Sequence, residues 1–376
     1  MTGSIVVGAG VVRFGRYPEK SAIDLASEAS LAAVRDAGVE LKDVDAFFCG
    51  HVRQGMTFAQ RVVDALGIAG IPAANFENAC ASSATALHFA CLAVAAGRYR
   101  RVLVCGCEKM ERGLLPLNDL MENDLEALIG MTVPGLSALM ASWYGAHYDL
   151  KPEDLAAVAV KNRAHAAANP HAHLQTPVSA QEVLASPMIS TPLTRMMCCP
   201  TSDGAAAIVV APAGEAPSGR QPVRILASHL EGGCLIGVDS VPNATARAAQ
   251  RAYEQAALAP IDVDLVEALD YTAMAEILLY EDLGFCARGE GVRMLRDGET
   301  ALGGRVCFSP GGGLIGRGHP LGATGVAQVV EAVVQLRHEA GGRQVPAARV
   351  ALTHAAGGVI TGIDDEAVVA VHLLGV

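Results

Sequence analysis

The feature that most restricts this chain is a rhythm that occurs twice. Short β-branched runs alternate with Ala-rich stretches of helical spacing. "SIVVGAGV" (4–11) is followed by "SAIDLASEASLAAVRDAGV" (21–39), "VDAFFCG" (44–50), a long apolar helix after residue 80, "RVLVCGCE" (101–108) and "DGAAAIVVAP" (203–212). The second half repeats the sequence of elements. It has a strand from Pro222, a helix from about Ala244 to Ala257, "VDLVEALDY" (263–271), a Gly-rich turn before a helix, then "RVALTHA" and "AVVAVHLLG". Strand–helix alternation of this kind predicts an α/β layered fold, and two halves of equal rhythm predict a duplicated one. Ser21 is read as a helix N-cap and Gly38 as the stop of the same helix.

The expected division places one domain at 1–215 and a second at 220–376. A Met-, Pro- and His-rich segment of about 113–200 reads as a loop domain inserted in the first, and the Pro/Gly-rich stretch 213–223 as the linker. A chain of 376 residues is long for one core, which agrees with two domains. A net charge of −11 and only 4% aromatic residues oppose a general nucleic-acid binder. No run reaches the roughly 18 apolar residues of a membrane span, and the first residues lack the basic and apolar regions of a signal peptide. A cytoplasmic protein is expected, with its ten cysteines reduced. Cys105-Gly106-Cys107 and Cys198-Cys199 lack the spacing of a zinc site, and no metal is expected.

Three stretches carry chemistry. The first is Asn78-Ala79-Cys80-Ala81-Ser82, where a cysteine opens an apolar helix. Backbone N–H groups and the positive end of the helix dipole there would stabilise a thiolate and lower its pKa below the free value of about 8.5. The alternative is a small core residue. The second is "SPGGGLIGRGHPLGATG" (309–325), a Gly-rich loop before a helix that presents His319. It lacks the lysine of a phosphate loop. The third is "LTHAAGGVITG", where His354 ends a strand before Gly357 and Gly358. His51 reads as a solvated loop residue, and His171 and His173 as surface residues without further ligands. Gly8-Ala9-Gly10 begins like a dinucleotide fingerprint but does not continue as one.

Together the N-x-C-x-S, G-H-P-x-G-x-T-G and T-H-x-x-G-G runs resemble the thiolase superfamily, nearest to its sterol-carrier-protein-type and archaeal-type branches. "LAAVAVKNRAHAAANPHAHL", "ISTPLTRMMCCPTSDGAAAIVV" and "AEILLYEDLGFCARGEG" extend the resemblance over nearly the whole chain. The resemblance implies paired α/β/α domains with a loop domain, usually as a homodimer. It implies an acyl-CoA C-acyltransferase that makes or cleaves a β-ketoacyl-CoA through an acyl-cysteine on Cys80. His319 would take the thiol proton, and His354 would serve as acid/base on the second substrate. The N–H groups of Cys80 and Ala356, beside Gly357 and Gly358, would form an oxyanion hole.

Coenzyme A would be a substrate and not a bound cofactor, with Arg163, Arg195 or Arg317 meeting its phosphates. A small zinc-ribbon/OB-fold partner protein is a further implication. Where the family carries Asn or His in its N-E-x-F or H-D-x-F run, this chain has Leu269, followed by Asp270, Tyr271 and Thr272. That departure implies a bulky or atypical second substrate. Three alternatives stay open: acylation of an aromatic non-CoA acceptor, aldol-type cleavage, and a non-catalytic subunit. Tyr271 could supply a hydroxyl, although strand alternation would turn it away from the position of Leu269.

Overall fold

The computed structural model describes residues 3–110, 128–215, 220–234, 242–359 and 365–376. Parts of the expected inserted segment and linker, residues 113–127 and 216–219, fall outside these. The strands are β1 (Ser4–Val11), β2 (Ala46–Gly50), β3 (Ala73–Phe76), β4 (Val102–Glu108), β5 (Met188–Ser190), β6 (Leu193–Thr194), β7 (Gly204–Pro212), β8 (Val223–Gly232), β9 (Leu265–Glu267), β10 (Cys307–Phe308), β11 (Val350–Val359) and β12 (Glu366–Gly375). Ten of them form one sheet in the order β10-β9-β11-β12-β8-β1-β7-β4-β2-β3, while β5 and β6 make a separate ribbon.

The sheet is symmetric about the β8–β1 contact. Outward from it, one side runs β1-β7-β4-β2-β3 and the other β8-β12-β11-β9-β10. Strand directions repeat as well. β4 and β2, and β2 and β3, are parallel, as are β11 and β9, and β9 and β10; β1–β7 and β4–β7 are antiparallel, as are β8–β12 and β11–β12. This is the mixed α/β architecture that the duplicated rhythm predicts.

Helix α1 (Ala22–Ala37) begins at Ser21, whose hydroxyl accepts from Asp24 N while Asp24 accepts from Ser21 N, and stops at Gly38 in the left-handed conformation. Its apolar face lies on β1. Gly8 and Gly10 make that approach possible: a Cβ at Gly10 would stand 2.5 Å from Ala29 O and Ala33 N. The Gly-Ala-Gly run that looked like a nucleotide fingerprint is therefore a helix-packing surface.

After α2 (Phe58–Ala65), helix α3 (Ser82–Ala95) runs through the middle of the molecule beside its counterpart, helix Thr324–Leu336. Both touch strands of the two halves. Leu87, Ala90 and Val94 of α3 share one buried cluster with Val326, Val330 and Val333. Fully buried aliphatic side chains of this kind contribute about 1.5–3 kcal/mol each. The segment between β4 and β7 supplies helix Pro152–Ala167, which packs on the second half: Lys161 pairs with Glu276 at 2.6 Å and His165 Nδ1 meets Ser309 O at 3.0 Å. No helix among the described residues is long and apolar enough to cross a membrane.

Replacing Gly10 by Ala forces β1 and α1 apart. Urea unfolding is expected to lose about 1–3 kcal/mol relative to the parent chain; an unchanged midpoint would show that this contact is not tight.

Candidate active site

Cys80 lies on the turn that leads from β3 into α3. Ala79 before it holds φ 46°, an unusual value for a residue with a side chain. The N–H groups of Ala81 and Ser82 fold back to Asn78 O and Ala79 O, and Ser82 Oγ accepts from Asn78 N at 3.0 Å. A Cβ on Gly357 would stand 2.0 Å from Asn78 O, so only glycine lets the end of β11 close over this turn.

The corresponding helix start in the second half carries the base. His319 precedes helix Thr324–Leu336, and its Nε2 stands 3.2 Å from Cys80 Sγ across a separation of 239 residues. Its tautomer follows from Thr324. The Thr324 hydroxyl donates to Pro320 O at 3.0 Å, so it accepts from His319 Nδ1 at 2.7 Å. The proton is then on Nδ1, and the Nε2 lone pair faces the sulfur.

Burial pushes the Cys80 thiol up to about 12, with the charges of Glu108 and then Glu77 adding to it. This reverses the lowered pKa expected from the helix start. α3 begins only at Ser82, and the two N–H groups after Cys80 are spent on the turn, so desolvation prevails. Burial pushes the His319 imidazole down to about 3, helped by the Arg317 guanidinium. The pair rests as neutral thiol and neutral imidazole, and the proton moves only as sulfur attacks.

Glu108, at the end of β4, is fully buried and accepts four hydrogen bonds. Val52 N (2.9 Å), Arg53 N (3.0 Å) and the Gln54 amide come from the first half, and Gly322 N (3.0 Å) from the second. It fixes the segment that follows His319.

His354 is buried on β11, and both ring nitrogens face protein. Nε2 is 3.0 Å from Thr245 Oγ1, and Leu269 N donates to Nδ1 at 3.5 Å. It forms no hydrogen bond with Cys80 or His319. Burial pushes it down to about 3. Leu269 and Ala356 belong to the buried cluster against which Cys80, Tyr271, Cys198 and Cys199 pack. Gly358, at φ 66°, is exposed.

Tyr271 departs from the alternation argument. β9 ends at Glu267, so residues 268–271 are not strand, and Tyr271 packs against the same buried cluster as Cys80. Burial, then the charge of Glu366 and the thiols of Cys80, Cys199 and Cys198, push its phenol up. Asp270 takes the opposite course: its carboxylate accepts from Asn162 Nδ2, Ser309 Oγ and Leu314 N at 2.7–3.0 Å and pins the Gly-rich loop.

Of the three arginines considered for phosphates, Arg317 is buried against Glu267 at 2.7 Å and Arg163 donates to Thr176 O, whereas Arg195 is exposed. His51 is buried, not solvated, with Nε2 3.1 Å from Asn75 Oδ1 and its ring edge on Phe58. His171 and His173 are half-buried, and His173 Nδ1 meets Ser202 Oγ at 2.9 Å. All ten cysteines are free, and among the described residues no group of three or more His, Cys, Asp or Glu side chains could hold a metal ion.

Comparison with known proteins decides the family. Residues 4–214 match the family described as "Thiolase, N-terminal domain" and residues 237–368 that described as "Thiolase C-terminal domain-like". The chain belongs to the thiolase family. It is 40% identical over 366 residues to an acetyl-CoA acetyltransferase of Methanothermobacter thermautotrophicus, covering 94% of this chain and 96% of that one. It is 35% identical to the benzoylsuccinyl-CoA thiolase subunit BbsB of Thauera aromatica, with 94% of each covered. Among solved structures it resembles the Ltp2-ChsH2(DUF35) aldolase with a TM-score of 0.85 at 26% identity, covering 99% of this chain and 97% of that one.

Sequence reasoning missed Thr245, Glu108 and the role of Thr324. Thr324 stands inside the G-x-T-G run, and Glu108 is the one charge on an otherwise apolar strand, so both had a signal. Thr245 had none.

Two measurements test this electrostatic state. Alkylation of unliganded Cys80 by iodoacetamide, followed by mass analysis of the peptide that carries it, should accelerate continuously beyond pH 10; a plateau below pH 8.5 would contradict it. Thr324→Val, which frees the Nδ1 proton, should slow turnover about 10²-fold, consistent with loss of general-base catalysis, and lower stability by about 1–3 kcal/mol through the orphaned His319 donor.

Proposed function

We propose that this thiolase-family chain is an acyl-CoA C-acyltransferase that forms or cleaves a β-ketoacyl-CoA through an acyl-cysteine on Cys80. The contact between Cys80 Sγ and His319 Nε2, with the tautomer set by Thr324, carries this reading. His319 accepts the thiol proton as sulfur attacks the thioester carbonyl. The N–H groups of Cys80 and Ala356, beside Gly357 and Gly358, hold the oxyanion, and each such donor is worth about 10²–10³ in rate. His354 belongs to the acid/base chain of the second step. Coenzyme A enters as part of the substrate, and exposed Arg195 is the arginine left to meet its phosphates.

Leu269 and Tyr271 give the acceptor end an apolar wall and one hydroxyl, which favours a bulky or aromatic acyl group over acetyl-CoA; the similarity to a benzoylsuccinyl-CoA thiolase subunit supports this. A homodimer fits the open edge strand β3 and the exposed Phe89 and Leu92 of α3. A small zinc-ribbon/OB-fold partner is supported by the DUF35 component of the aldolase that this chain resembles and by the similarity to BbsB, itself a subunit. The division near 215–220, with a loop domain in the first half, and a cytoplasmic location are part of the same reading. A second reading, aldol-type cleavage, is favoured by Leu269 and by the likeness to an aldolase, and is opposed by the intact Cys80–His319 pair.

Incubation with acetyl-CoA and a panel of longer and aromatic acyl-CoA esters, read by intact mass, should reveal a covalent acyl adduct that disappears in Cys80→Ser. Absence of an adduct from every donor would reject acyl transfer. Leu269→His should shift the preferred acceptor toward acetyl-CoA; an unchanged preference removes Leu269 as the determinant.

A further inference from the structure

The β11–β12 pair brings one more carboxyl to this site. Glu366 opens β12 opposite Val359. Its Oε1 accepts the Thr245 hydroxyl proton at 3.4 Å, and Thr245 Oγ1 stands 3.0 Å from His354 Nε2. Because Leu269 N donates to His354 Nδ1, the ring proton resides on Nε2 and points at Thr245. A hydroxyl has one proton, so Thr245 accepts from His354 and gives to Glu366. The chain runs in one direction and ends on the carboxyl.

The two ends of this chain differ in what they leave available. Both nitrogens of His354 are engaged. Glu366 Oε2 is buried and has no partner among the described residues. A buried carboxylate oxygen without a donor is unfavourable, and a catalytic role is one physical reason to keep it. Among the described residues, the charged groups that bear on Glu366 are Asp282 and Asp365. Asp365 is held by Ala244 N, Cys234 N and Arg247, and Asp282 by Arg288. The Tyr271 phenol, beside Cys80, feels the charge of Glu366 and has no hydrogen-bond partner among the described residues. Leu269 can neither donate nor accept through its side chain, so a proton acceptor for the second step must come from another position.

We propose that Glu366 is the acid/base of the carbon–carbon step, with His354 and Thr245 as positioning residues that hold its other oxygen. The proposal rests on the acyltransferase reading above. In the forming direction, Oε2 takes one α-proton from the acceptor acyl-CoA. The thiol proton taken by His319 during loading has already passed to the departing CoA sulfur. The enolate carbon bonds to the acyl carbonyl carbon, the bond to Cys80 sulfur breaks, and the thiolate takes back, through solvent and His319, the proton that Glu366 gives up. Cleavage runs the same steps in reverse.

The pH dependence separates Glu366 from His354. Burial, then the charge of Asp282, raises the Glu366 carboxyl to about 7, whereas His354 lies near 3. A base acts in its deprotonated form, so catalysis by Glu366 rises with pH through about 7, while catalysis by His354 is already complete at pH 5. The experiment follows deuterium uptake from solvent into the α-carbon of whichever acyl-CoA of the panel above the unaltered protein exchanges fastest, by mass spectrometry, together with the acyl adduct on Cys80. In the unaltered protein the exchange should climb through pH 7. In Glu366→Gln the adduct should still form, exchange should fall at least about 100-fold, in the range of lost general-base catalysis, and the pH-dependent limb should vanish. Thr245→Val should keep exchange but move its midpoint.

Exchange at the parental rate in Glu366→Gln, or a flat profile from pH 5 to 9 that is lost in His354→Gln, overturns the assignment. If Glu366→Gln fails to load Cys80, an unmoved midpoint in Thr245→Val overturns it as well. A missing adduct in the unaltered protein rejects the acyltransferase reading itself and is recognised separately by its mass.

Discussion

The whole site depends on how two helix starts meet. Helix α3 and helix Thr324–Leu336 lie against each other in the middle of the molecule, and Ser83 Oγ accepts from Val326 N at 3.0 Å across their contact. Gly325 allows this closeness, since a Cβ there would stand 2.6 Å from Ala84 N. The contact brings the residues just before each helix face to face. One half contributes sulfur and the other imidazole, and neither half holds a reactive pair alone.

Electrostatics within this arrangement run against intuition drawn from isolated helices. The positive end of a helix favours an anion, yet the buried surroundings of Cys80 outweigh it and hold the thiol neutral. Three carboxylates near the site are treated differently. Glu108 is saturated by four donors and serves as a clamp, Asp270 by three and serves as a loop anchor, while Glu366 has one oxygen without a donor among the described residues. The number of donors around a carboxylate distinguishes scaffold from reactive group here better than its burial does.

Much of this was legible in the residues themselves. The α1 caps at Ser21 and Gly38, the start of helix Ala244–Ala256 and the duplicated strand order all follow from local patterns, because caps and periodicity act over a few residues. The pairing of Cys80 with His319 was readable only through family likeness, since no local rule joins positions so far apart. What could not be read depends on tertiary surroundings: the acidity of Cys80, the burial of His51 against Phe58, and the direction of Tyr271 once β9 ends early. The glycines of β1 misled for the same reason, as their purpose is visible only with α1 in place.

The separation between Cys80 and His319 also has a meaning in time. A ribosome delivers the sulfur early and the imidazole late, after more than two hundred further residues. Until that late segment emerges and docks, the growing polypeptide carries an ordinary thiol without its base. Splitting the reactive pair between the two halves therefore delays base-assisted reactivity until the second half has been made and has docked.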